Sequence, residues 1–246
     1  MRYLILSDIH ANLEALNAVA VDASGIYDCI ACCGDLVGYG ADPNAVCDWA
    51  RANIQLVIRG NHDRVCAGNS GAESFNERAQ AAAAWTHAAL SSVNLAWLHG
   101  LPQGPARIEG AQIAHGSPID EDEYLLSEWE ARQAAQQLDE GVYFFGHSHL
   151  QGGFLRDPKG VRSLARPTLA QRERLIALSP DHLYLINPGA VGQPRDGDAR
   201  AAYALYDSEE RAVSLRRAKY DVGKAQKKIR KAGLPDSLAA RLSAGR

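Results

Sequence analysis

Short apolar runs of strand length recur along the first part of the chain, and each run ends in a polar loop. The first covers residues 3–6 and is followed by the polar sequence of residues 7–10. Residues 27–33 and 54–58 form two further runs, which end in Gly-Asp and Gly-Asn-His-Asp. Apolar runs of this length, bounded by turn formers, predict buried β-strands. We therefore expect a sheet whose strand ends carry polar side chains.

Helical patterns separate these predicted strands. Apolar side chains follow a 3.6-residue period over residues 13–20, and Asn12 precedes them as a candidate N-cap. Asp42 and Pro43 predict the start of a second helix, since Asp caps helices and Pro is tolerated in the first turn. Alternating strands and helices predict an α/β fold with its active site at the carboxyl ends of the strands.

Different patterns follow in the rest of the chain. An alanine-rich helix is expected to about residue 90, and an acidic stretch over residues 120–124 predicts a mobile loop. A strand is expected over residues 142–145, and alternating patterns predict antiparallel strands from residue 152 to residue 186. Final strands are expected within residues 201–216.

Two short helices are predicted to close the chain, and this segment is basic. From residue 216 onwards there are ten Lys or Arg and two acidic residues, a charge of +8 in a chain of net charge -3. A basic tail can bind nucleic acid, but Tyr220 is its one aromatic residue, so we favour a solvated helix face packed against an acidic body. We expect one domain over residues 1–246 with a basic helical tail from about residue 220.

Composition fits an ordinary globular protein, with 46% hydrophobic and 22% charged residues in a chain of 246. No apolar run approaches the roughly 18 residues of a membrane span, and the N-terminus has no leader pattern. We therefore expect a cytoplasmic protein without a membrane partner. The five cysteines are interpreted as mostly buried free thiols, because a redox or zinc pair at Cys29 and Cys32 would lack a second pair.

Side chains of metal-ligand type gather at the predicted strand ends. They are Asp8, His10, Asp35, Asn61, His62, Asp63, His115, His147 and His149. Carboxylate, imidazole and amide donors without thiolate suit Mn, Fe, Zn or Ni, with Mn expected first, and argue against a closed structural zinc site. Because the set is too large for one ion, we expect two divalent ions bridged by a carboxylate such as Asp35.

These motifs carry a resemblance to a known family. In order, Asp8-x-His10, Gly34-Asp35, Gly60-Asn61-His62-Asp63, His115-Gly116 and Gly146-His147-x-His149 resemble the five blocks of the calcineurin-like metallophosphoesterases. Residues 7–16, 34–40 and 187–195 resemble, within that superfamily, the small bacterial and archaeal phosphoesterases grouped with diadenosine tetraphosphatases. The resemblance implies an α/β fold, a four-layer sandwich of two mixed β-sheets flanked by α-helices.

The resemblance also implies how the ligands divide between two ions. Asp8, His10 and His149 would hold one ion, Asn61, His115 and His147 the other, and Asp35 would bridge them. A hydroxide between the ions would attack phosphorus in line with the leaving group. The expected activity is hydrolysis of a phosphomonoester, a phosphodiester or a nucleotide polyphosphate.

Five further residues receive expected roles. His62 is the candidate general acid, and Asp63 is expected to fix its tautomer and raise its pKa. Arg195 and Arg59 are the candidates for binding phosphate oxygens through the planar guanidinium group. Asn12 is a candidate substrate contact that could equally be only a helix cap.

Other functions stay open at this point. The same centre would support a protein phosphatase, although the chain has no long insertion for a peptide groove. A catalytically silent metal-binding or nucleic-acid-binding protein is the alternative from another class, and the intact ligand motifs argue against it. The expected partner is a small phosphorylated substrate, with nucleotides among the candidates, and nucleic acid is not expected.

Overall fold

A computed structural model describes all 246 residues and contains twelve β-strands and eight α-helices. The strands are β1 (Arg2–Leu6), β2 (Cys29–Cys32), β3 (Leu56–Val57), β4 (Ala106–Ile108), β5 (Ala111–Ile113), β6 (Gly141–Phe144), β7 (Gly152–Asp157), β8 (Gly160–Ser163), β9 (Glu173–Ala177), β10 (Leu183–Asn187), β11 (Ala201–Asp207) and β12 (Ala212–Ala218). The helices are α1 (Leu13–Asp22), α2 (Pro43–Asn53), α3 (Asn61–Cys66), α4 (Glu77–Ala89), α5 (Ser92–His99), α6 (Glu128–Ala135), α7 (Val222–Lys231) and α8 (Asp236–Ala244). None of these helices combines the length and the apolar character needed to cross a membrane.

The strands form two six-stranded sheets. The first sheet has the order β3-β2-β1-β11-β12-β9, and the second has the order β4-β5-β6-β10-β7-β8. In the first, β1 runs parallel to β2 and antiparallel to β11. In the second, β10 runs parallel to β6 and antiparallel to β7. Both sheets are therefore mixed, and with the flanking helices they confirm the expected sandwich.

The alternation of side chains along β1 builds the core on both faces of the first sheet. Successive strand residues point to opposite faces. Leu4 and Leu6 are fully buried among the residues of α1 and α2, whereas Ile5 belongs to the cluster between the two sheets. Phe144 of β6 contributes to that same inter-sheet cluster. A buried β1 thus anchors the loop that follows it.

Two local predictions differ from the structure near the third strand end. A strand was expected over residues 54–58, but β3 contains only two residues and pairs solely with β2 at the sheet edge. Helix α3 begins directly at Asn61 and was not expected. Six residues are too few to show a helical period, and Gly60 stands at the N-cap without a capping side chain. The strand end and the helix start are therefore almost contiguous.

The two C-terminal helices pack on the body of the protein as predicted. Lys228 of α7 contacts Glu14 at 2.7 Å and Asp42 at 2.8 Å, and Lys224 contacts Glu14 at 3.2 Å. These pairs confirm the interpretation of a basic helix face packed against an acidic surface. They also occupy the Asp42 side chain, which makes no capping hydrogen bond to α2. Helix α8 ends at Gly245 in the left-handed conformation, which glycine adopts readily.

Candidate metal centre

The expected ligand residues converge where the strands of both sheets end. Loops after β1, β2, β5 and β6 carry six of them, and the first residue of α3 provides the seventh. These residues are Asp8, His10, Asp35, Asn61, His115, His147 and His149, and none is more than 7% exposed. Seven polar side chains are therefore removed from water at one place. Their burial has an unfavourable free energy unless hydrogen bonds or a bound ion compensate for it.

The ligand atoms form two groups that share one residue. Asp8, His10, Asp35 and His149 offer atoms within 4.8 Å of one another, and Asp35, His115 and His147 form the second group. The Oδ2 atom of Asp35 lies 3.5 Å from Nε2 of His10 and 3.5 Å from Nε2 of His115. One carboxylate oxygen thus faces an imidazole of each group. Asn61 joins the second group, because its Oδ1 lies 3.0 Å from Nε2 of His115.

The histidine rings are oriented to present lone pairs to one another. Nδ1 of His10 lies 2.9 Å from the carbonyl oxygen of Val37, and Nδ1 of His149 lies 2.7 Å from that of Gln193. Because a carbonyl only accepts, each Nδ1 is the donor and each Nε2 of a neutral ring carries a lone pair. The two Nε2 atoms nevertheless lie 3.1 Å apart. Burial lowers the pKa of both rings well below the usual value, so a cation between them is the missing partner.

Unpaired buried atoms and shifted pKa values also indicate a site for a cation. Oδ2 of Asp8, Oδ2 of Asp35 and Nε2 of His147 are buried without a hydrogen-bond partner. Burial raises the pKa of Asp8 to about 7. Burial opposes ionisation of His115, yet Asp35 raises the pKa of His115 to about 10. The centre therefore favours added positive charge, and the donor set fits divalent metal ions.

The backbone around the ligands is held in an uncommon conformation. Five of the seven ligand residues have φ between 49° and 62°, a left-handed region that L residues rarely adopt; they are Asp8, His10, Asp35, His147 and His149. Glycines allow the loops to approach closely. A Cβ at Gly60 would lie 2.1 Å from Oδ1 of Asp35, and one at Gly146 would lie 1.9 Å from Oγ of Ser7. Such strain concentrates at functional sites because the surrounding structure must hold it.

His62 lies beside the cluster, and its surroundings correct one expectation. Its backbone N–H donates to Oδ1 of Asp35 at 2.8 Å, and its ring lies between Tyr39 and Phe75, with centroids 4.3 Å and 4.4 Å away. Burial lowers the pKa of His62 to about 4. Asp63 does not contact the ring, because its carboxylate accepts from the N–H groups of Gly60 at 3.0 Å and Val37 at 3.1 Å. Asp63 therefore holds two loops together and does not raise the pKa of His62.

The three expected substrate contacts differ in position. The guanidinium of Arg195 lies 5.8 Å from the ring centroid of Tyr39, and its buried Nε has no hydrogen-bond partner. Arg59 is instead held by Glu121, through contacts of 3.1 Å and 2.9 Å, and by Gln103. Asn12 caps α1 through Oδ1 and donates from Nδ2 to the carbonyl of Gly192. Only Arg195 thus combines a place beside the cluster with an unused donor.

A loop that was expected to be mobile brings a further aromatic residue to the centre. Tyr124 stacks on the candidate ligand His147 with a centroid distance of 3.8 Å. Glu121 in the same loop is 9% exposed and pairs with Arg59 and Arg64. These ion pairs connect the middle of the loop to Arg59 and Arg64, and its mobility stays a prediction. The sequence contains a recognisable motif around Tyr39, but it did not indicate that Tyr124 and Phe75 lie beside the centre.

A sandwich of two mixed sheets, with buried carboxylate, imidazole and amide ligands at its strand ends, defines a metallophosphoesterase. Comparison with known proteins agrees, since residues 1–211 match the family model described as the calcineurin-like phosphoesterase superfamily domain. The chain belongs to this superfamily. It is a phosphoester hydrolase, and the family and the buried cluster together assign divalent metal binding to it.

Individual relatives span the whole chain. An uncharacterized protein from Methanocaldococcus jannaschii is 38% identical over 250 residues, which cover 98% of this chain and 97% of that protein. The crystal structure of a metallophosphoesterase from Sphaerobacter thermophilus is 36% identical, with a TM-score of 0.87 and coverage of 100% of this chain and 99% of that one. A hypothetical protein from Pyrococcus horikoshii OT3 shares the fold, with a TM-score of 0.76 at 17% identity over 100% of this chain and 98% of that one.

Proposed function

We propose that this chain is a two-metal phosphoesterase that hydrolyses a phosphomonoester, a phosphodiester or a nucleotide polyphosphate. Asp8, His10 and His149 would hold one ion, and Asn61, His115 and His147 the other, with Asp35 as the shared ligand. The observation that carries this proposal is the position of Asp35 Oδ2, 3.5 Å from an imidazole nitrogen of each group. Mn²⁺ suits this set of oxygen and nitrogen donors.

The bound ions would supply an activated water and neutralise charge on the phosphoryl group. Arg195 would bind a phosphate oxygen, since its buried Nε is unpaired and its charge lies close enough to the cluster to help lower the pKa of His149. This clamp also orients the substrate, because a planar guanidinium contacts two oxygens at a time.

His62 would deliver the proton to the leaving oxygen. At neutral pH the ring is uncharged in this environment, since burial lowers its pKa to about 4. A phosphate dianion bound nearby would favour the imidazolium form and raise that pKa. Proton uptake by His62 would therefore accompany substrate binding, and the adjacent tilted rings of Tyr39 and Phe75 would keep the imidazole in place.

The proposal is tested with the full chain loaded with Mn²⁺. Hydrolysis of bis-p-nitrophenyl phosphate and p-nitrophenyl phosphate should be measurable, and EDTA should abolish it until metal is restored. A screen of nucleotides, dinucleoside polyphosphates, cyclic nucleotides and phosphodiesters then ranks the substrate classes by kcat/KM. Activity that resists EDTA, or no activity across the screen with metal bound, would count against the proposal.

A further inference from the structure

Three arginines that form no ion pair meet beside the metal centre. We call Arg78 of α4, Arg195 and Arg241 of α8 the arginine cluster. Arg195 and Arg241 donate to the same atom, Oε1 of Gln193, at 3.2 Å and 3.1 Å. Burial and the charges of Arg195 and Arg78 lower the pKa of Arg241. Arg78 belongs to α4, which packs against α8 in one buried cluster that contains Ala79 and Leu242.

The cluster differs from the other basic groups of the C-terminal helices. Lys224 and Lys228 pair with Glu14 and Asp42, and Arg230 pairs with Asp236. These contacts attach or stabilise the two helices. Arg241 has no carboxylate partner, although it is half-buried and the chain carries 29 acidic residues. Positive charges that converge without counter-charge raise the free energy of the protein unless an anion binds them.

The cluster is connected directly to the metal ligands. The backbone carbonyl of Gln193 accepts from Nδ1 of His149 at 2.7 Å, while its side chain accepts from Arg195 and Arg241. The backbone N–H of Arg195 donates to the carbonyl of His149 at 3.2 Å. The end of α8 is tied to the same loop, because the N–H of Gly197 donates to the carbonyl of Gly245 at 2.9 Å. An anion bound by the cluster would thus adjoin the reacting phosphoryl group.

We infer that the arginine cluster is a second phosphate subsite, and that the substrate carries at least two phosphoryl groups joined in an anhydride chain. The inference rests on the proposed function, since it assigns the reacting phosphoryl group to the metal centre. Arg195 lies between the two positions and contacts both groups. Arg241 and Arg78 bind the second group through charge-assisted hydrogen bonds. The C-terminal helices are therefore part of the binding site.

The test compares one phosphoryl group with two on the Mn²⁺-loaded full chain. Calorimetric titrations use methylphosphonate and methylenediphosphonate, which resist hydrolysis, at constant free Mn²⁺. The diphosphonate should bind at least about tenfold more tightly, a difference of about 1.4 kcal/mol. Arg241→Gln should reduce this preference about tenfold. Lys231→Gln removes one charge from an exposed, unpaired position of α7 and should leave the preference intact.

A second variant keeps the test decisive if Arg241→Gln does not fold. Arg78→Gln changes an exposed side chain and should lower the preference about threefold, while the unfolding temperature reports on the fold. Equal affinity of the two phosphonates for the unchanged protein would overturn the inference. A preference that survives in both Arg241→Gln and Arg78→Gln would also overturn it, because the metals alone would then select the diphosphonate.

The same preparations separate this inference from the proposed function. Hydrolysis of bis-p-nitrophenyl phosphate, whose single phosphate needs no second subsite, reports on the metal centre. If neither this diester nor any other substrate of the screen is hydrolysed while the diphosphonate preference depends on Arg241, the proposed function fails and the subsite is supported. If hydrolysis occurs and the preference is absent, the subsite fails and the phosphoesterase remains.

Discussion

The ligand residues combine left-handed backbone with side chains that face one another as acceptors. Each left-handed residue of this kind costs on the order of 1–3 kcal/mol. The facing Nε2 atoms of His10 and His149 add an unfavourable contact at 3.1 Å. Both costs are offset when a cation occupies the centre, and the free energy of metal binding then contributes to the stability of the fold.

The shared position of Asp35 predicts unequal losses of metal. Asp8→Asn should lower the metal content from two ions per chain to one, because Asp8 belongs to a single ligand group. Asp35→Asn should remove both ions, since Asp35 belongs to both groups. Metal analysis after gel filtration measures the content. The exposed Asp139→Asn provides the control with two ions, and an Asp35→Asn protein that keeps one tightly bound ion would contradict the shared role.

The position of His62 predicts a catalytic defect without metal loss. His62→Ala should retain both ions, because its ring makes no contact with a carboxylate oxygen of the cluster and only its backbone N–H bonds Asp35. Turnover should fall about 10²- to 10⁴-fold for alkyl leaving groups, which need a proton, and much less for p-nitrophenolate. Metal content, and kcat for alkyl and p-nitrophenyl substrates, distinguish a general acid from a metal ligand. Loss of an ion would instead identify His62 as a ligand.

The residue types at the centre were predictable where a motif placed them after a strand. All seven expected ligands lie within the two groups or touch one of them. The role expected for Asp63 was wrong, because adjacency in sequence to His62 did not reveal the amides of Gly60 and Val37. Arg241 could not be placed from the sequence at all. Its position depends on how α8 packs on a loop that is distant in the chain.

Among the elements, the loop that carries Tyr124 is connected to its surroundings through Glu121. Arg59 and Arg64 hold this carboxylate from two sides, one at the end of β3 and one in α3. The loop is thereby connected to the helix that begins with the candidate ligand Asn61. Short acidic loops are usually exposed, so the sequence pattern predicted mobility. The sequence pattern did not indicate that Glu121 is buried beside two arginines.

This arrangement predicts a pH-dependent contribution to stability. Burial alone would raise the pKa of Glu121, but Arg59 and Arg64 outweigh it and lower the pKa below 4.5. A carboxyl group whose pKa is depressed in the folded protein stabilises the fold at any pH above its pKa in the unfolded chain. This stabilisation is lost as the pH falls through the pKa of the folded state. Glu121→Gln should therefore lower the free energy of unfolding by about 2 kcal/mol at pH 7, and the difference should shrink below about pH 4.5.

Denaturant titrations of the unchanged protein and the variant between pH 3 and pH 8 measure this difference. Asp122→Asn serves as the matched control, because Asp122 also pairs with Arg64 but its side chain is 51% exposed. Its loss should cost no more than about 1 kcal/mol. A Glu121→Gln effect that is constant over this pH range would show that packing, and not charge, holds the loop.

At the scale of the whole molecule, the C-terminal helices form a hydrophobic cluster with α4 and Tyr39. Leu238 is 1% exposed within it. Leu238→Ala should lower the free energy of unfolding by about 2–4 kcal/mol, because it removes buried methyl groups and leaves a cavity. Val21→Ala, at a side chain that is 78% exposed, should change it by less than about 0.5 kcal/mol. Similar effects of the two substitutions would show that the helices are not part of the cooperative fold.

The overall architecture could be expected only in part from local patterns. The strands that end before Asp8 and Asp35 were readable as apolar runs, and two short C-terminal helices were expected from the sequence. Strand order could not be derived from the sequence, because β1 pairs with β2 on one side and with the distant β11 on the other. Long-range pairing depends on the packing of many side chains at once. The family resemblance, and not the periodicity, provided the two-sheet sandwich.

The central place of β1 has a consequence for how the protein is made. A ribosome releases Asp8 and His10 early, but β11, which completes the pairing of β1, emerges only from residue 201 onwards. His149 and the loop around Gln193 also arrive late. The nascent chain therefore carries its first ligands long before their partners exist, and non-local pairing of this kind forms slowly. We expect the nearly complete protein, and not the growing chain, to acquire its metal.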